Sequence, residues 1–136
     1  MENKELKAMF GLGVQNDGNA QYFTGKSFLN RIVQPHDNID YGVGVVTFEA
    51  GCRNNWHIHR GGYQILLVTD GEGWYQEWGK PAQKIKAGDV IVTHEGIKHW
   101  HGATATSTMS HVALTKGKAE WLEAVIFDEV SNVDSL

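Results

Sequence analysis

A chain of 136 residues with 41% hydrophobic and 21% charged residues has the balance of one globular domain, long enough to bury a core without disulfide staples. Its net charge of −4 argues against a nucleic-acid partner, and its single cysteine, Cys52, excludes an internal disulfide and fits a reducing cytoplasm. The opening MENKELKAMF lacks the apolar run of a secretory signal, and no stretch approaches the ~18 apolar residues of a membrane span. The expectation is a cytoplasmic protein with no membrane partner.

Residues 1–20 read as an N-terminal arm: 2–9 suit one helical turn, and GLGVQNDGNA (11–20) has loop composition. From Tyr22 the pattern becomes short and strand-like. Strands are predicted over 21–24, 27–33, 42–50, 55–59, 63–69, 72–78, 82–86, 89–92, 98–104 and 108–115. GKAEWLEAVIF (117–127) fits a helix or a last strand over 119–124, and the strand is preferred. Turn signals separate the strands, among them Asp37–Asn38, Gly61–Gly62, Asp70–Gly71, Gly79, Gly88 and Glu95–Gly96. Many short strands, 16 glycines and only two prolines point to an all-β sandwich or barrel over 21–127, followed by a tail, 128–136.

Six of the seven histidines lie between positions 57 and 111, which suggests a site. In WHIHRGGYQ (56–64), strand alternation puts His57 and His59 on one face. Gly61–Gly62 then reads as a turn that returns Gln64 beside them. In GDVIVTHEGIKHWHG (88–102), His99 and His101 share a face in the same way. Imidazoles paired like this on two strands suit a shared metal ion; the plain alternative is polar strand residues. A turn near 104–109 would set His101 against His111 across a hairpin.

These residues carry a family resemblance. A glycine, five residues, His-x-His, a short gap, an acid, six residues and a glycine form the first cupin motif; here it reads Gly51, CRNNW, His57-Ile-His59, four residues, Gln64, six residues, Gly71. The second motif reads Gly88, DVIVT, His94-Glu-Gly96, two residues, His99, then Ala103. Gln64 stands where cupins usually carry glutamate, His94 where they carry proline, and Ala103 where they carry asparagine. The chain thus resembles a single-domain cupin, which implies a double-stranded β-helix, or jelly-roll β-barrel. HWHGA followed by TMSH is similar to bacterial cupin hydroxynitrile lyases and their uncharacterised relatives. That resemblance implies one divalent ion, manganese above all (with zinc, nickel, iron or cobalt as alternatives), held by His57, His59, Gln64 and His99. It also implies that His101 and His111 line the cavity as non-ligand histidines.

Imidazole and amide donors are uncharged, so Gln64 in place of glutamate leaves the ion a full double charge and makes it a stronger Lewis acid. Three histidines and one amide also leave open positions, the mark of a working site. The expected activity is that of a lyase acting on a small molecule beside a carbon–oxygen bond, with His101 or His111 moving the proton. Two alternatives stand beside it: a metal-dependent dioxygenase, and a non-enzymatic cupin that binds a sugar or metabolite. Trp74, Trp78, Trp100 and Trp121 read as packing or dimer contacts, His36 as a loop residue and His94 as a solvated turn residue. A homodimer is expected, because pairing with a second copy hides a sheet edge.

Overall fold

The computed structural model describes residues 4–126; the tail predicted over 128–136 lies outside the described residues. The described residues form ten strands: β1 (Val14–Gln15), β2 (Phe23–Thr24), β3 (Ser27–Val33), β4 (Gly42–Phe48), β5 (Arg53–Asn54), β6 (His57–Glu77), β7 (Gln83–Lys86), β8 (Val90–Thr93), β9 (His99–Ala103) and β10 (Met109–Trp121). One 3-10 helix, Asp17–Tyr22, precedes β2. No helix among the described residues is long and apolar enough to cross a membrane.

The strands form one curled sheet in the order β1-β3-β4-β10-β6-β9-β5-β2, with β7 and β8 also paired to β6. The 21 residues of β6 are its spine. β10 runs antiparallel along one edge of β6, while β8 and β7 take successive parts of the other. Both ends of β6 reach β9: His57 and Glu77 each lie opposite His99. A strand whose two ends meet one neighbour has curved round on itself, so the architecture is an all-β barrel, as the family resemblance implies.

Alternation decides what fills it. Leu66 and Val68 of β6 point inward and join Phe48, Ile85 and Met109 in the core, while Leu67 between them is 37% exposed on the outside. Removing these large side chains from water is the main favourable term for folding. A second cluster of Trp56, Trp74, Trp100 and Val125 packs elsewhere on the barrel, and Trp100 donates its Nε1–H to Gln76 Oε1 at 2.8 Å.

Three expectations are revised. The strands predicted over 55–59, 63–69 and 72–78 are one continuous strand, so neither Gly61–Gly62 nor Asp70–Gly71 reverses the chain. Instead the ladder slips: Tyr63 lies opposite Lys116 and Arg60 opposite Lys118, so Gly61 and Gly62 face only Gly117. Two residues against one make a β-bulge. Gly117 takes φ +94°, and a Cβ on Gly62 would sit 2.1 Å from the Lys116 carbonyl oxygen, so glycine is required at this crossing. The last two predicted strands likewise merge into β10. In the arm, residues 4–8 form no helical turn, and the stretch expected to be loop contains β1 and the 3-10 helix. The arm is tied to β3 by Asn30, whose Nδ2 donates to the carbonyls of Phe10 and Gly11 at 3.0 and 3.2 Å.

Candidate metal centre

The bulge sets which side chains enter the barrel. Strict alternation from His57 and His59 would send Gln64 outward, because 59 and 64 differ by an odd number. The extra residue at Gly61–Gly62 reverses the parity, and Gln64 joins the histidines inside. The three thus converge from one bulged strand rather than from the two arms of a hairpin. His99 arrives from β9, opposite His57 in register.

The imidazoles crowd together. Ring centroids are 4.2 Å apart for His57–His99, 5.2 Å for His57–His59 and 5.2 Å for His59–His99. The ligating atoms of His57, His99 and His101 all lie within 4.8 Å of one another. This group includes His101, expected as a non-ligand, and leaves out His59, whose ring lies 5.2 Å from those of His57 and His99. His57, His59, Gln64, His99 and His101 are all buried.

Hydrogen bonds orient the rings. His57 Nδ1 lies 2.9 Å from the Asn55 carbonyl and His99 Nδ1 2.9 Å from the Ile97 carbonyl. Each nitrogen donates to its carbonyl, so each Nε2 keeps its lone pair; a backbone carbonyl fixing the far nitrogen is the usual support of a metal-binding histidine. Gln64 Nε2 donates to Thr115 Oγ1 at 2.9 Å, which turns the amide so that Oε1 is left over. His99 Nε2, both nitrogens of His59 and Gln64 Oε1 are buried without a hydrogen-bond partner. A buried unpartnered polar atom costs about 1–3 kcal/mol, and such atoms rarely occur together without reason. Lone pairs crowded at one point are what a cation satisfies, so this donor set fits a single metal ion.

Burial disfavours the charged imidazolium throughout the group. It holds His57 well below the ordinary value, helped by the neighbouring His99. It lowers His59 against the opposing effect of the Gln64 amide, and it brings His99 to about 4. All three are neutral near pH 7, the state in which imidazole binds metals.

A second pair stands beside these donors. His101 Nδ1 and His111 Nε2 are 3.1 Å apart. The expected hairpin does not bring them together, since β9 and β10 are not sheet neighbours; they meet across the barrel interior. Asn54, which the sequence reading passed over, holds His101 at two points. Its Oδ1 accepts the His101 backbone N–H at 2.9 Å, and its Nδ2 lies 3.2 Å from His101 Nε2 and 3.4 Å from Nδ1. An amide NH2 only donates, so the nearer ring nitrogen, Nε2, accepts; Nδ1 then carries the proton given to His111 Nε2. Burial keeps both rings neutral, lowering His111 to about 4 and His101 well below its ordinary value, with His111 adding to the effect on His101.

These groups line a cavity of about 240 Å³ walled by Phe23, Leu29, Val46, Ala113 and Ala119. Trp121, expected to serve packing or dimerisation, also lines it: its ring is 4.6 Å from that of His57 and stacks on Tyr22 at 4.7 Å. An engineered cavity of roughly 150 Å³ accepts benzene, so this one has space for a single ring with a few further atoms.

Residues 44–115 match the model of the cupin domain. The chain belongs to the cupin family. This cupin is 40% identical over 125 residues to the (R)-mandelonitrile lyase of Granulicella tundricola, an alignment covering 89% of this chain and 94% of that one. Its fold is similar to that of a cupin-like protein of Thermotoga maritima, with a TM-score of 0.86, 36% identity and coverage of 93% of this chain and 97% of that one. A predicted oxalate decarboxylase of Thermotoga maritima shares the fold at a TM-score of 0.67 and 20% identity, covering 86% of this chain and 94% of that one.

Proposed function

We propose that this cupin is a divalent-metal lyase that breaks a carbon–carbon bond beside an oxygen-bearing carbon, as the name of its mandelonitrile lyase relative suggests. His57, His59, Gln64 and His99 hold the ion, with manganese the expected metal. The observation that carries the reading is the set of buried, unpartnered lone pairs on His59, Gln64 and His99, next to a neutral His101–His111 pair that is itself hydrogen-bonded. When bound, the ion supplies positive charge beside a substrate oxygen.

The chain's own part is proton movement. Asn54 keeps the His101 Nε2 lone pair in one direction, and His111 accepts from His101 Nδ1. A substrate hydroxyl that takes the place of the Asn54 N–H at His101 Nε2 gives its proton there; the bonding pair of the broken C–C bond leaves with cyanide, and a carbonyl remains. The proton then passes from the imidazolium to cyanide, which departs as hydrogen cyanide. The neighbouring His111 imidazole accepts the His101 Nδ1–H and holds that tautomer, while burial makes the imidazolium give its proton back readily.

The test is a cyanohydrin assay on protein of measured metal content. Manganese-loaded protein releases a carbonyl compound and cyanide from a cyanohydrin, and chelator-treated protein does not. No release from a panel of cyanohydrins would end the lyase reading, and oxygen uptake with another substrate would point to a dioxygenase. A second copy is the proposed partner for the outer face, where Leu67, Val90 and Val92 are 37%, 59% and 47% exposed on paired strands. Sedimentation at micromolar concentration tests it: a monomer refutes the dimer.

A further inference from the structure

We infer that the substrate of this cavity carries a carboxylate, gripped by the Arg31 guanidinium at the wall, on an apolar body no larger than one ring. The inference rests on reading the cavity as the substrate site, and it names the class of molecule that enters.

The charges of the wall carry it. The chain has 16 acidic residues against 12 lysines and arginines, yet no aspartate or glutamate lines the cavity. The polar lining is all neutral or cationic: imidazoles, the amides of Asn16, Asn19, Asn54 and Gln64, a hydroxyl, and Arg31. Acids on nearby elements are committed or set back. Asp40 is paired with Lys116 at 3.1 Å and Glu120 with Arg60 at 3.1 Å, while Asp17 of the 3-10 helix does not line the cavity. Arg31 makes no ion pair and no side-chain hydrogen bond among the described residues.

Its setting leaves the guanidinium free for a guest. Arg31 and Leu29 alternate onto one face of β3, and both line the cavity. Opposite Arg31 on β4 stands Gly44, which has no side chain to cover it. A planar guanidinium offers a fork of donors that matches a carboxylate with two parallel hydrogen bonds. Low-dielectric walls extend the reach of that charge into the cavity.

The probes are benzoate and its uncharged analogue benzamide, followed by the tryptophan emission of protein dialysed free of metal, so that the result does not depend on the ion. Benzoate is expected to bind at least ~10-fold tighter, as hydrogen bonds between charged groups predict. Arg31→Gln is expected to abolish that preference with benzamide unaffected, and Arg31→Lys to restore part of it. Because Arg31 is exposed, neither variant disturbs the core. Equal binding of the two probes, no benzoate binding at tens of millimolar, or an unchanged preference in Arg31→Gln each overturns the inference. Failure of the lyase reading is separate: it shows as absent cyanohydrin turnover by the metal-loaded protein while the carboxylate preference persists.

Discussion

His101 and His111 reach each other across the barrel, Nδ1 to Nε2 at 3.1 Å, from strands that share no ladder. Both are buried and neither charges readily. A proton taken up by such a pair is readily given back.

Removing either ring should therefore cost turnover without costing metal. His101→Ala is expected to lower kcat by about 10²–10⁴-fold, the usual worth of a positioned acid or base. Metal content by elemental analysis should stay at one ion per chain. Because His101 shares a 4.8 Å cluster of ligating atoms with His57 and His99, loss of metal in this variant would instead make it a ligand.

Thr115 offers a milder probe of the ion site. Its hydroxyl holds the Gln64 amide in one orientation. Thr115→Val keeps the shape and removes that acceptor. Metal affinity should fall about 10–100-fold, as when the supporting partner of a ligand is lost. Titration with manganese, followed by electron paramagnetic resonance, measures it. Unchanged affinity would argue that Gln64 is not a ligand.

The metal-free protein should be acid-sensitive. An ordinary imidazole titrates at 6.5, whereas His99 and His111 in the fold hold out to about 4. Between those values the unfolded chain binds more protons than the folded one. The stability due to keeping these rings neutral is whole above about pH 6.5 and is lost as pH falls toward about 4. His57, His59 and His101 act in the same direction. Urea midpoints at pH 7.5, 6 and 5 should decline in that order; a flat series would contradict the burial of neutral rings.

Gly62→Ala tests the bulge. The new methyl would meet the Lys116 carbonyl at 2.1 Å, a backbone contact that no rotamer relieves. The expected loss is about 1–3 kcal/mol, in the range of overpacking. Metal affinity should drop with it, because Gln64 enters the barrel only through this crossing. Thermal melting and metal titration of one preparation read both effects. A variant that melts normally and binds metal normally would remove the bulge from the account.

The barrel was readable because short strands and glycine punctuation leave an all-β chain few alternatives. The histidines were readable because alternation makes His-x-His a same-face pair wherever the strand runs. Gly61–Gly62 was misread, since a glycine pair permits a reversal and a bulge alike; only Gly117 on the facing strand decides between them. Asn54 and Thr115 were invisible for a related reason. Each acts on a residue about fifty positions away, and that adjacency is a matter of register, which no local pattern states. Trp121 read as packing because an aromatic near the end of a strand looks the same whether it faces a core or a cavity.

The placing of Trp121 has an optical consequence. An indole stacked on Tyr22 and set against the His57 ring emits from the wall of the cavity itself. A paramagnetic ion bound beside that ring would quench its fluorescence, and a diamagnetic one such as zinc would not. Comparing the two against a Trp121→Phe background would report the arrival of the ion, with no label attached to the molecule.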